Sequence, residues 1–254
     1  QKNFFYVLHG ATTISKLDNK KGISKFFKTK QLKNIYNQKN IICVSKGVQD
    51  DIMSLKIVPN SIQTIYNFFD SKKIIELSNE KTKITLPDKY IIHVGRFAKV
   101  KRHDLLIQAY NLLKDKNIYL ILVGEGEEKT NIINLIDSLN LSNRVIMVVF
   151  QDNPYPLIKN AKALVLSSDS EGFGNVLIES LILNTIPIST DCPFGPNEIL
   201  YKSYKQCLSK VNNQKALTEC IEKNLINPPP IIREELIKFD KNTIIKQYEN
   251  LFIR

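Results

Sequence analysis

No apolar stretch in this sequence is long enough to cross a membrane as a helix. The longest runs, such as Val145 to Phe150, have six residues, whereas a bilayer-spanning helix needs ~20. Disorder is excluded as well, because 43% of the 254 residues are hydrophobic and 24% are charged, which is ordinary for a globular protein. At ~150 residues per domain, this length allows one large domain or two modest ones.

The sequence also lacks the cysteine spacing of a metal site or a disulfide framework. Cys43, Cys192, Cys207 and Cys220 are scattered, without a Cys-x-x-Cys pair or a histidine at ligand spacing. Such cysteines suit a reducing compartment, so we expect a cytoplasmic location. The chain opens on Gln1, with no initiator methionine or signal peptide, directly before a strand-like run. We therefore expect it to begin inside a longer protein.

Acidic residues are scarce in the first quarter of the chain. Residues 1–65 contain eleven lysines, three aspartates and no glutamate or arginine, which leaves +8 of the total charge of +11 in this section. Such asymmetry predicts a basic face that meets anionic lipid, phosphate or nucleic acid. A solvated lysine-rich surface, as encoded by an AT-rich genome, explains the same charge. No recognised nucleic-acid-binding module or aromatic stacking pattern accompanies the lysines, so we expect no nucleic-acid partner.

Short β-rich apolar runs alternate with amphipathic segments, which predicts β-α-β units and a parallel sheet. The clearest predicted helices are Lys101–Lys114, Asn131–Leu139 and Lys241–Phe252. The predicted strands are Phe4–Leu8, Ile41–Val44, Thr64–Tyr66, Tyr90–Val94, Tyr119–Val123, Val145–Val149, Ala163–Leu166 and Ile186–Ser189.

Two positions divide the chain into three sections. The basic first section gives way near Asn67 to a complete run of β and α units. Three consecutive prolines, Pro228 to Pro230, then interrupt the chain, because none can donate a backbone hydrogen bond. The predicted sections are therefore residues 1–66, 67–230 and 231–254.

The segment from Ser168 to Glu179 lies between a predicted strand and a helix predicted to begin near Gly174. Gly172 and Gly174 let backbone N–H groups approach a ligand closely, and the amides and dipole of the helix favour an anion. This pattern predicts a phosphate site. Glu179, about 7 Å along the helix axis at ~1.5 Å per residue, can reach ribose hydroxyls, and Glu171 can accept hydrogen bonds from sugar hydroxyls. A tight turn followed by a solvated carboxylate explains the segment equally well.

A second polar segment, His93–Asp104, follows another predicted strand. Arg96 and Lys101 therefore emerge at the carboxyl end of the sheet, the edge at which open α/β sheets bind ligands. Two cations at that edge can neutralise a departing diphosphate. Arg96 is also compatible with a surface ion pair, as are Lys99 and Arg102.

Together the two segments resemble the retaining nucleotide-sugar glycosyltransferases of glycosyltransferase family 4, which have the GT-B fold. In that family a strand ends in Gly-Arg, with a lysine five residues after the arginine. A later loop has two glutamates separated by seven residues, with Gly-Phe-Gly after the first. Gly95, Arg96 and Lys101 match the first pattern, and the segment from Glu171 to Glu179 matches the second. Further family landmarks occur in order along the chain at Val44–Lys46, Ile65–Asn67, Val123–Gly126, Asn153–Pro156 and Asp191–Glu198.

The resemblance implies a role for each of these positions. Arg96 and Lys101 would bind the donor diphosphate, and Glu179 would bind the ribose. Glu171 and the amides of the Gly172–Gly174 turn would hold the transferred sugar, which His9 would face across the cleft. The expected catalytic residues are Glu171, Lys101, Arg96 and His9, and the expected substrate-binding residues are Gly95, Gly172, Phe173, Gly174, Asn175 and Glu179.

The resemblance also implies the domain plan and the reaction. Residues 1–66 would be a remnant of an acceptor-side domain, residues 67–230 a Rossmann-like nucleotide-sugar-binding domain, and residues 231–254 helices that return toward the first domain. A hexose would pass with retention, by front-face attack, from a nucleotide-diphosphate sugar, expected to be a UDP-sugar, to a growing surface glycan or lipid-linked acceptor. The alternative is a donor-binding domain or subunit that is inactive without a separate N-terminal partner.

No Asp-x-Asp motif occurs in the sequence, so the metal-chelating device of the other large glycosyltransferase fold has no candidate. We expect no metal and no cofactor. Between Lys16 and Lys39, eight lysines and one aspartate are interleaved with apolar residues. This pattern predicts a helix on an anionic membrane surface, where lipid-linked glycans would be met at the inner face of the cytoplasmic membrane.

Three features depart from the family pattern. Arg102 occupies the position where a glycine commonly follows the lysine, and Phe150-Gln151 stands where members often have a glycine near the base. The chain also contains only the last portion of the N-terminal domain, without its opening strand and glycine-rich loop.

Overall fold

Two parallel β-sheets organise the polypeptide. The computed structural model describes residues 4–17 and 21–253, without the side chains of residues 14–16. Residues 1–3 of the predicted first section and residues 18–20 of the predicted Lys16–Lys39 helix lie outside the described residues. The strands are β1 (Phe5–Leu8), β2 (Asn40–Cys43), β3 (Ser61–Thr64), β4 (Tyr90–Val94), β5 (Tyr119–Val123), β6 (Val145–Val148), β7 (Ala163–Leu166), β8 (Ile186–Thr190) and β9 (Leu208–Ser209).

The strand order places two distant loops side by side. The first sheet has the order β1-β2-β3 and the second has the order β6-β5-β4-β7-β8-β9. Each strand pair in the described residues is parallel, which confirms the predicted α/β class with parallel sheets. After β6, at one edge, the chain returns to β7 beside β4, so the strand order reverses between β4 and β7. Open α/β sheets bind ligands at the carboxyl ends of the strands at such a point.

Helices connect the strands and cover the sheets. Leu105, Leu106 and Ala109 show how they pack, since they recur at helical spacing and are buried against the second sheet. The α-helices are α1 (Thr12–Leu17), α2 (Gly22–Tyr36), α3 (Lys46–Ser54), α4 (Ser71–Leu77), α5 (His103–Leu112), α6 (Lys129–Ser138), α7 (Tyr155–Lys159), α8 (Asn175–Ile182), α9 (Pro196–Ile199), α10 (Gln214–Ile226) and α11 (Lys241–Glu249).

The central strands of the second sheet are buried almost throughout. All four residues of β7 are buried, as are four of five in β4 and in β5. Both faces of a parallel sheet are covered by helices, so its strands are continuous apolar runs rather than alternating ones. This burial fixes the strand ends from which the polar loops emerge.

Three elements differ from the sequence prediction. Strand β3 was expected at Thr64–Tyr66 but lies earlier, because its residues pair with β2. The helix expected from Lys101 begins at His103, since Lys99–Lys101 form a 3₁₀ turn and Arg102 has a left-handed backbone with φ 50°. Strand β9 was not predicted, because its two residues are too few to show the alternating pattern of a strand.

The end of the chain packs on the first sheet. Phe69 forms a bridge with Asp240 just before α11, and Ile244 of α11 is buried with Ile42 and Ile65. The C-terminal segment thus returns to the side of the molecule where the chain starts. The domain boundaries at residues 66 and 230 stay predictions.

Two observations concern chemistry and environment. Each of the four cysteines is free and buried. Within residues 4–17 and 21–253, no helix is both long enough and apolar enough to cross a bilayer.

Candidate active site

Two loops meet at the reversal of strand order in the second sheet. Lys101 follows β4 and Glu171 follows β7, and these strands are hydrogen-bonded neighbours. Backbone contacts join the two loops, because Asp169 N donates to Val100 O at 2.8 Å and Ser167 Oγ donates to Lys101 O at 2.8 Å. The fold thereby brings together two segments that are ~70 residues apart in sequence.

A cavity of about 370 Å³ lies between these loops and the end of β1. Its lining contains most of the residues that the sequence predicted, and it adds Asn67, Val94 and Val176. The lining residues are His9, Asn67, Val94, Lys101, Glu171, Gly172, Phe173, Gly174, Asn175, Val176 and Glu179.

Lys101 and Glu171 form an ion pair inside this cavity. Lys101 Nζ donates to Glu171 Oε1 at 2.7 Å and to Oε2 at 2.9 Å. Their side chains are 22% and 9% exposed, so the pair is screened less than a surface pair. Ser168 Oγ also donates to Glu171. The cavity therefore contains a cation that can bind phosphate and, in contact with it, a carboxylate that can accept hydrogen bonds from hydroxyl groups.

The turn before α8 has the backbone geometry of an anion site. Gly174 precedes α8 with φ 89°, and no side chain caps the helix. The first backbone amides of α8 therefore remain free to bind an anion, and the positive end of the helix dipole lies at the cavity. Gly195, with φ 107°, supports the turn from behind, since a Cβ there would lie 2.0 Å from Phe173 O. Both glycines are required by the turn.

His9 reaches the cavity from the first sheet. Its loop packs so tightly on the Gly172–Gly174 turn that a Cβ on Gly172 would lie 2.0 Å from His9 O. Ser45 Oγ donates to Gly172 O at 2.9 Å and reinforces this contact. Asp51 anchors the other end of the His9 loop, because its carboxylate accepts from Thr12 N at 2.7 Å. The two sheets thus contribute to one cavity.

A second cavity of about 650 Å³ adjoins the first, and the two share Val94 and Glu179. Burial raises the pKa of the Glu179 carboxyl, and the hydrogen bond from Tyr155 partly offsets that effect. Burial also raises the pKa of Tyr155 to about 12, so its hydroxyl keeps its proton and donates to Glu179 Oε1 at 3.4 Å. The lining residues are Val94, Gly95, Arg96, Val123, Gly124, Glu125, Phe150, Gln151, Asp152, Pro154, Tyr155 and Glu179.

Arg96 and Gly95 belong to the second cavity and not to the first. The Arg96 side chain is 73% exposed, and its guanidinium pairs with Glu127 at 3.0 Å. The surface ion pair that the sequence left open is therefore formed. Exposed pairs of this kind are typically worth less than about 1 kcal/mol, so a phosphate can replace Glu127 as the partner.

Sequence reasoning gave no role to two residues that the structure places in or beside the site. Asn67 lines the first cavity, and its Nδ2 donates to Asn175 Oδ1 at 2.8 Å. Glu198 accepts from Lys46 N and Gly47 N, both at 2.8 Å, and so caps α3 across the junction of the two sheets. Both residues lie in landmark segments, and that was the available signal. Their partners are 108 and about 150 residues away, which no local pattern reveals.

Metal chemistry has no obvious ligand set in the described part of the chain. There, no group of three or more histidine, cysteine, aspartate or glutamate residues is arranged to hold an ion. The expectation that no metal is needed stays a prediction.

Known proteins share both the sequence pattern and the architecture. Residues 74–243 match the family described as "Glycosyl transferases group 1". The chain belongs to this family. Its members are GT-B enzymes, so the family expected from the motifs is confirmed.

Two curated relatives are longer than this chain. A Campylobacter jejuni protein named N-acetylgalactosamine-N,N'-diacetylbacillosaminyl-diphospho-undecaprenol 4-alpha-N-acetylgalactosaminyltransferase is 32% identical over 213 residues, covering 83% of this chain and 58% of that protein. An uncharacterised glycosyltransferase of Methanocaldococcus jannaschii is 30% identical over 242 residues, covering 86% of this chain and 60% of that protein. The chain therefore spans about three fifths of the length of these relatives.

A solved structure shows the same fold. The Anabaena protein HepE in complex with UDP and glucose has a TM-score of 0.82 at 19% identity, covering 98% of this chain and 70% of that one. The likeness at this identity concerns the fold alone. It confirms the predicted GT-B architecture with a Rossmann-like domain.

Proposed function

We propose that the protein transfers a hexose, with retention, from a nucleotide-diphosphate sugar to a lipid-linked or surface glycan. One observation carries the proposal. Lys101, Glu171 and the Gly172–Gly174 turn share a cavity that adjoins a second cavity at Glu179. A donor of this class needs adjoining places for its sugar, its diphosphate and its nucleoside.

Lys101 and the N-terminal amides of α8 would stabilise the departing diphosphate. As the bond between the anomeric carbon and the phosphate oxygen breaks, negative charge grows on the phosphate. Fixed positive groups that already surround this position lower the barrier, often by more than any other effect. Arg96 would add a second cation once it exchanges Glu127 for phosphate.

Retention is proposed to follow from front-face attack. The acceptor oxygen forms its bond to the anomeric carbon on the face that the diphosphate leaves, and the departing phosphate oxygen takes the acceptor proton. Glu171 binds Lys101 through both oxygens, a position suited to sugar hydroxyls. We therefore assign no covalent nucleophile, and place His9 across the cavity as a contact to the sugar.

We propose UDP as the nucleoside diphosphate. The second cavity, of about 650 Å³, is large enough for a nucleoside. Glu179 would bind the ribose hydroxyls, while Phe150 and Gln151 border the place for the base. The solved structure of similar fold, HepE, contains UDP and glucose.

The reaction is proposed to need no divalent metal, because Lys101 and backbone amides can supply the positive charge. Transfer should then be unchanged when EDTA is added to the enzyme. Loss of transfer in EDTA, followed by recovery with Mg²⁺ or Mn²⁺, would contradict this part of the proposal.

Helix α2 supports a place at the inner face of the cytoplasmic membrane. Ile23, Phe26 and Phe27 are 77%, 66% and 63% exposed. At ~100° per residue they share one side of the helix, opposite the buried Leu32. Lysines surround this apolar group, a combination that favours anionic lipid surfaces. The acceptor named for the Campylobacter relative is a diphospho-undecaprenol, which fits such a location.

Vesicle binding tests this location. The 254-residue chain should co-sediment with phosphatidylglycerol vesicles and much less with phosphatidylcholine vesicles. The variant I23S/F26S/F27S should lose binding, whereas the control I133S/I226S, at exposed apolar positions of the second sheet's helices, should keep it. Binding that ignores lipid charge, or that survives the triple change, would contradict the proposal.

The second candidate is a nucleotide-sugar-binding subunit that is inactive alone. Strand β1 is at the edge of its sheet, and the chain spans about three fifths of its curated relatives. A separate polypeptide could therefore complete the acceptor side. The upstream gene sequence decides between the two, because a continuous reading frame favours one enzyme and a stop codon favours a subunit.

A thermal-shift screen of nucleotide-diphosphate sugars tests the donor class. A ligand that binds only the native state raises the melting temperature, and we expect the largest rise with a UDP-sugar. Transfer is then measured with the 254-residue chain, and with the longer polypeptide if the chain is part of one. The absence of any rise with every nucleotide sugar would overturn the proposed function.

A further inference from the structure

Arg102 occupies an unusual backbone position beside Lys101. Its φ and ψ are both 50°, in the left-handed region, between the 3₁₀ turn Lys99–Lys101 and helix α5. Glycine adopts this conformation without strain, whereas a residue with a Cβ is disfavoured there. Something other than backbone preference therefore favours arginine in this chain.

The guanidinium of Arg102 joins three separate segments. Its Nε donates to Asp104 Oδ1 at 2.9 Å, and its Nη1 donates to Asp169 Oδ1 at 3.0 Å. Nη1 also contacts Asn212. Asp169 lies in the same loop as Glu171, two residues before it. The side chain therefore ties the loop that contains Lys101 to the loop that contains Glu171.

We propose that Arg102 is a positioning residue that holds Lys101 in register with Glu171. The proposal rests on the proposed function, in which Lys101 binds the diphosphate and Glu171 the sugar. The Lys101 Nζ to Glu171 Oε1 distance of 2.7 Å depends on the relative placement of two loops. Nε and Nη2 of Arg102 form a fork on Asp104, which fixes the orientation of the guanidinium. In that orientation Nη1 donates to both carboxylate oxygens of Asp169, at 3.0 and 3.2 Å, and so holds the Glu171 loop.

A purely structural role does not account for this arrangement. Asp104 and Asp169 are 51% and 40% exposed, and ion pairs at such positions add little to folding stability. Glycine would also remove the backbone strain. Folding alone thus gives arginine little advantage, whereas a displacement of catalytic groups by about 1 Å can lower a rate ~100-fold.

The test separates positioning from stability. Arg102→Gly should lower kcat at least about tenfold with little change in KM for the donor, while the melting temperature stays the same or rises. Arg102→Lys keeps the charge but lacks the fork, so it should recover only part of the rate. Asp169→Asn should lower kcat similarly, and R102G/D169N should be no worse than R102G, because both changes break one link. Lys99→Gln, an exposed neighbour, is the control and should have no effect.

A chemical readout keeps the test independent of transfer. Lys101, paired with Glu171, should resist reductive methylation in the native chain and react faster in R102G, as measured by peptide mass spectrometry, with Lys162 as the exposed reference. Normal kcat together with unchanged Lys101 reactivity in R102G would overturn the positioning role. If R102G does not fold, Arg102→Asn, which tolerates the left-handed backbone, replaces it in both assays. Failure of the native chain to bind any nucleotide sugar would instead overturn the proposed function, and the methylation result would still decide the role of Arg102.

Discussion

The two sheets differ in how much of the site each one supplies. The six-stranded sheet provides both loops of the ion pair, the turn before α8 and the second cavity. The three-stranded sheet provides His9, and Asn67 follows its strand β3. This half meets Gly172 through His9 O and the Ser45 hydroxyl. Among the described residues, the two buried clusters on this sheet are small, with six and three members, and Tyr6 and Val7 of its edge strand are each 40% exposed. We therefore expect that donor binding, proposed for the six-stranded half, and acceptor access, proposed for the three-stranded half, can be separated by experiment.

The largest effect should come from the ion pair of the six-stranded sheet. Lys101→Ala should reduce transfer about 10²- to 10³-fold, because it removes the charge proposed to stabilise the departing diphosphate. Glu171→Ala should act similarly through the sugar. Initial rates with a radiolabelled donor measure both changes, and Lys162→Ala is the control for loss of a surface lysine. A variant that keeps the native rate would remove its residue from the site.

A methyl group on Gly172, where the His9 loop packs on the turn before α8, should separate the functions proposed for the two sheets. Gly172→Ala would place a Cβ 2.0 Å from His9 O, so the loops must move apart. We expect transfer to fall ~100-fold, while binding of UMP, measured by calorimetry, changes much less because the cavity proposed for the nucleoside is not altered. Gly10→Ala is the matched control, since a Cβ at Gly10 meets no atom within 4 Å. Equal losses of UMP binding and transfer would show that the two functions are not separable in this way.

Lowering the pH should destabilise the six-stranded half before the three-stranded half, because the six-stranded half contains two buried histidines. His93 and His103 are buried there with ring centroids 4.5 Å apart, whereas His9 of the other half is exposed. Burial and the charge of Lys101 lower the pKa of His103 to about 4, although Asp104 opposes this. Burial also lowers the pKa of His93. Below about pH 6.5 these histidines gain protons in the unfolded chain but stay neutral in the folded chain, so the free energy of unfolding should fall as the pH falls. For His103 the fall should be about 3 kcal/mol between pH 6.5 and 4, and His93 should add to it in the same direction.

Urea unfolding at several pH values measures this slope. His103→Phe keeps an aromatic ring against Phe97 and removes one titrating group, so stability should depend less steeply on pH. An unchanged slope in this variant would show that other groups cause the acid sensitivity.

The smallest effect should come from the cap that joins the two sheets. The Glu198 carboxylate accepts hydrogen bonds from Lys46 N and Gly47 N. Glu198→Gln removes its negative charge and should lower the free energy of unfolding by about 1 kcal/mol. Glu219→Gln, on the exposed side of α10, is the control. Equal stability of the two variants would show that Glu198 does not stabilise the contact between the two sheets.

The sequence carried enough information for the sheet and for most of the site. The buried strands β4, β5 and β7 are continuous apolar runs, and the predicted site residues from Lys101 to Glu179 line adjoining cavities because they follow neighbouring strands. Periodicity and strand ends are local properties, so a single sequence can indicate them.

Other features depend on contacts that a local pattern does not contain. The left-handed backbone of Arg102 delays the start of the predicted helix until His103, and one of the partners of its side chain, Asn212, is 110 residues away. The orientation of Arg96 toward Glu127 and the cap from Glu198 to α3 are also set by tertiary packing. Motifs therefore indicate the groups proposed to bind the donor, whereas the groups proposed to position them depend on contacts between distant segments.

Calorimetry with UDP and UMP tests most directly whether Lys101 and the turn before α8 grip a diphosphate. UDP should bind the 254-residue chain at least about tenfold more tightly than UMP, because only UDP places a second phosphate beside Lys101. Lys101→Ala should abolish that difference, and Lys162→Ala should preserve it. Equal affinities for UDP and UMP in the native chain, or an undiminished preference in Lys101→Ala, would contradict the central claim.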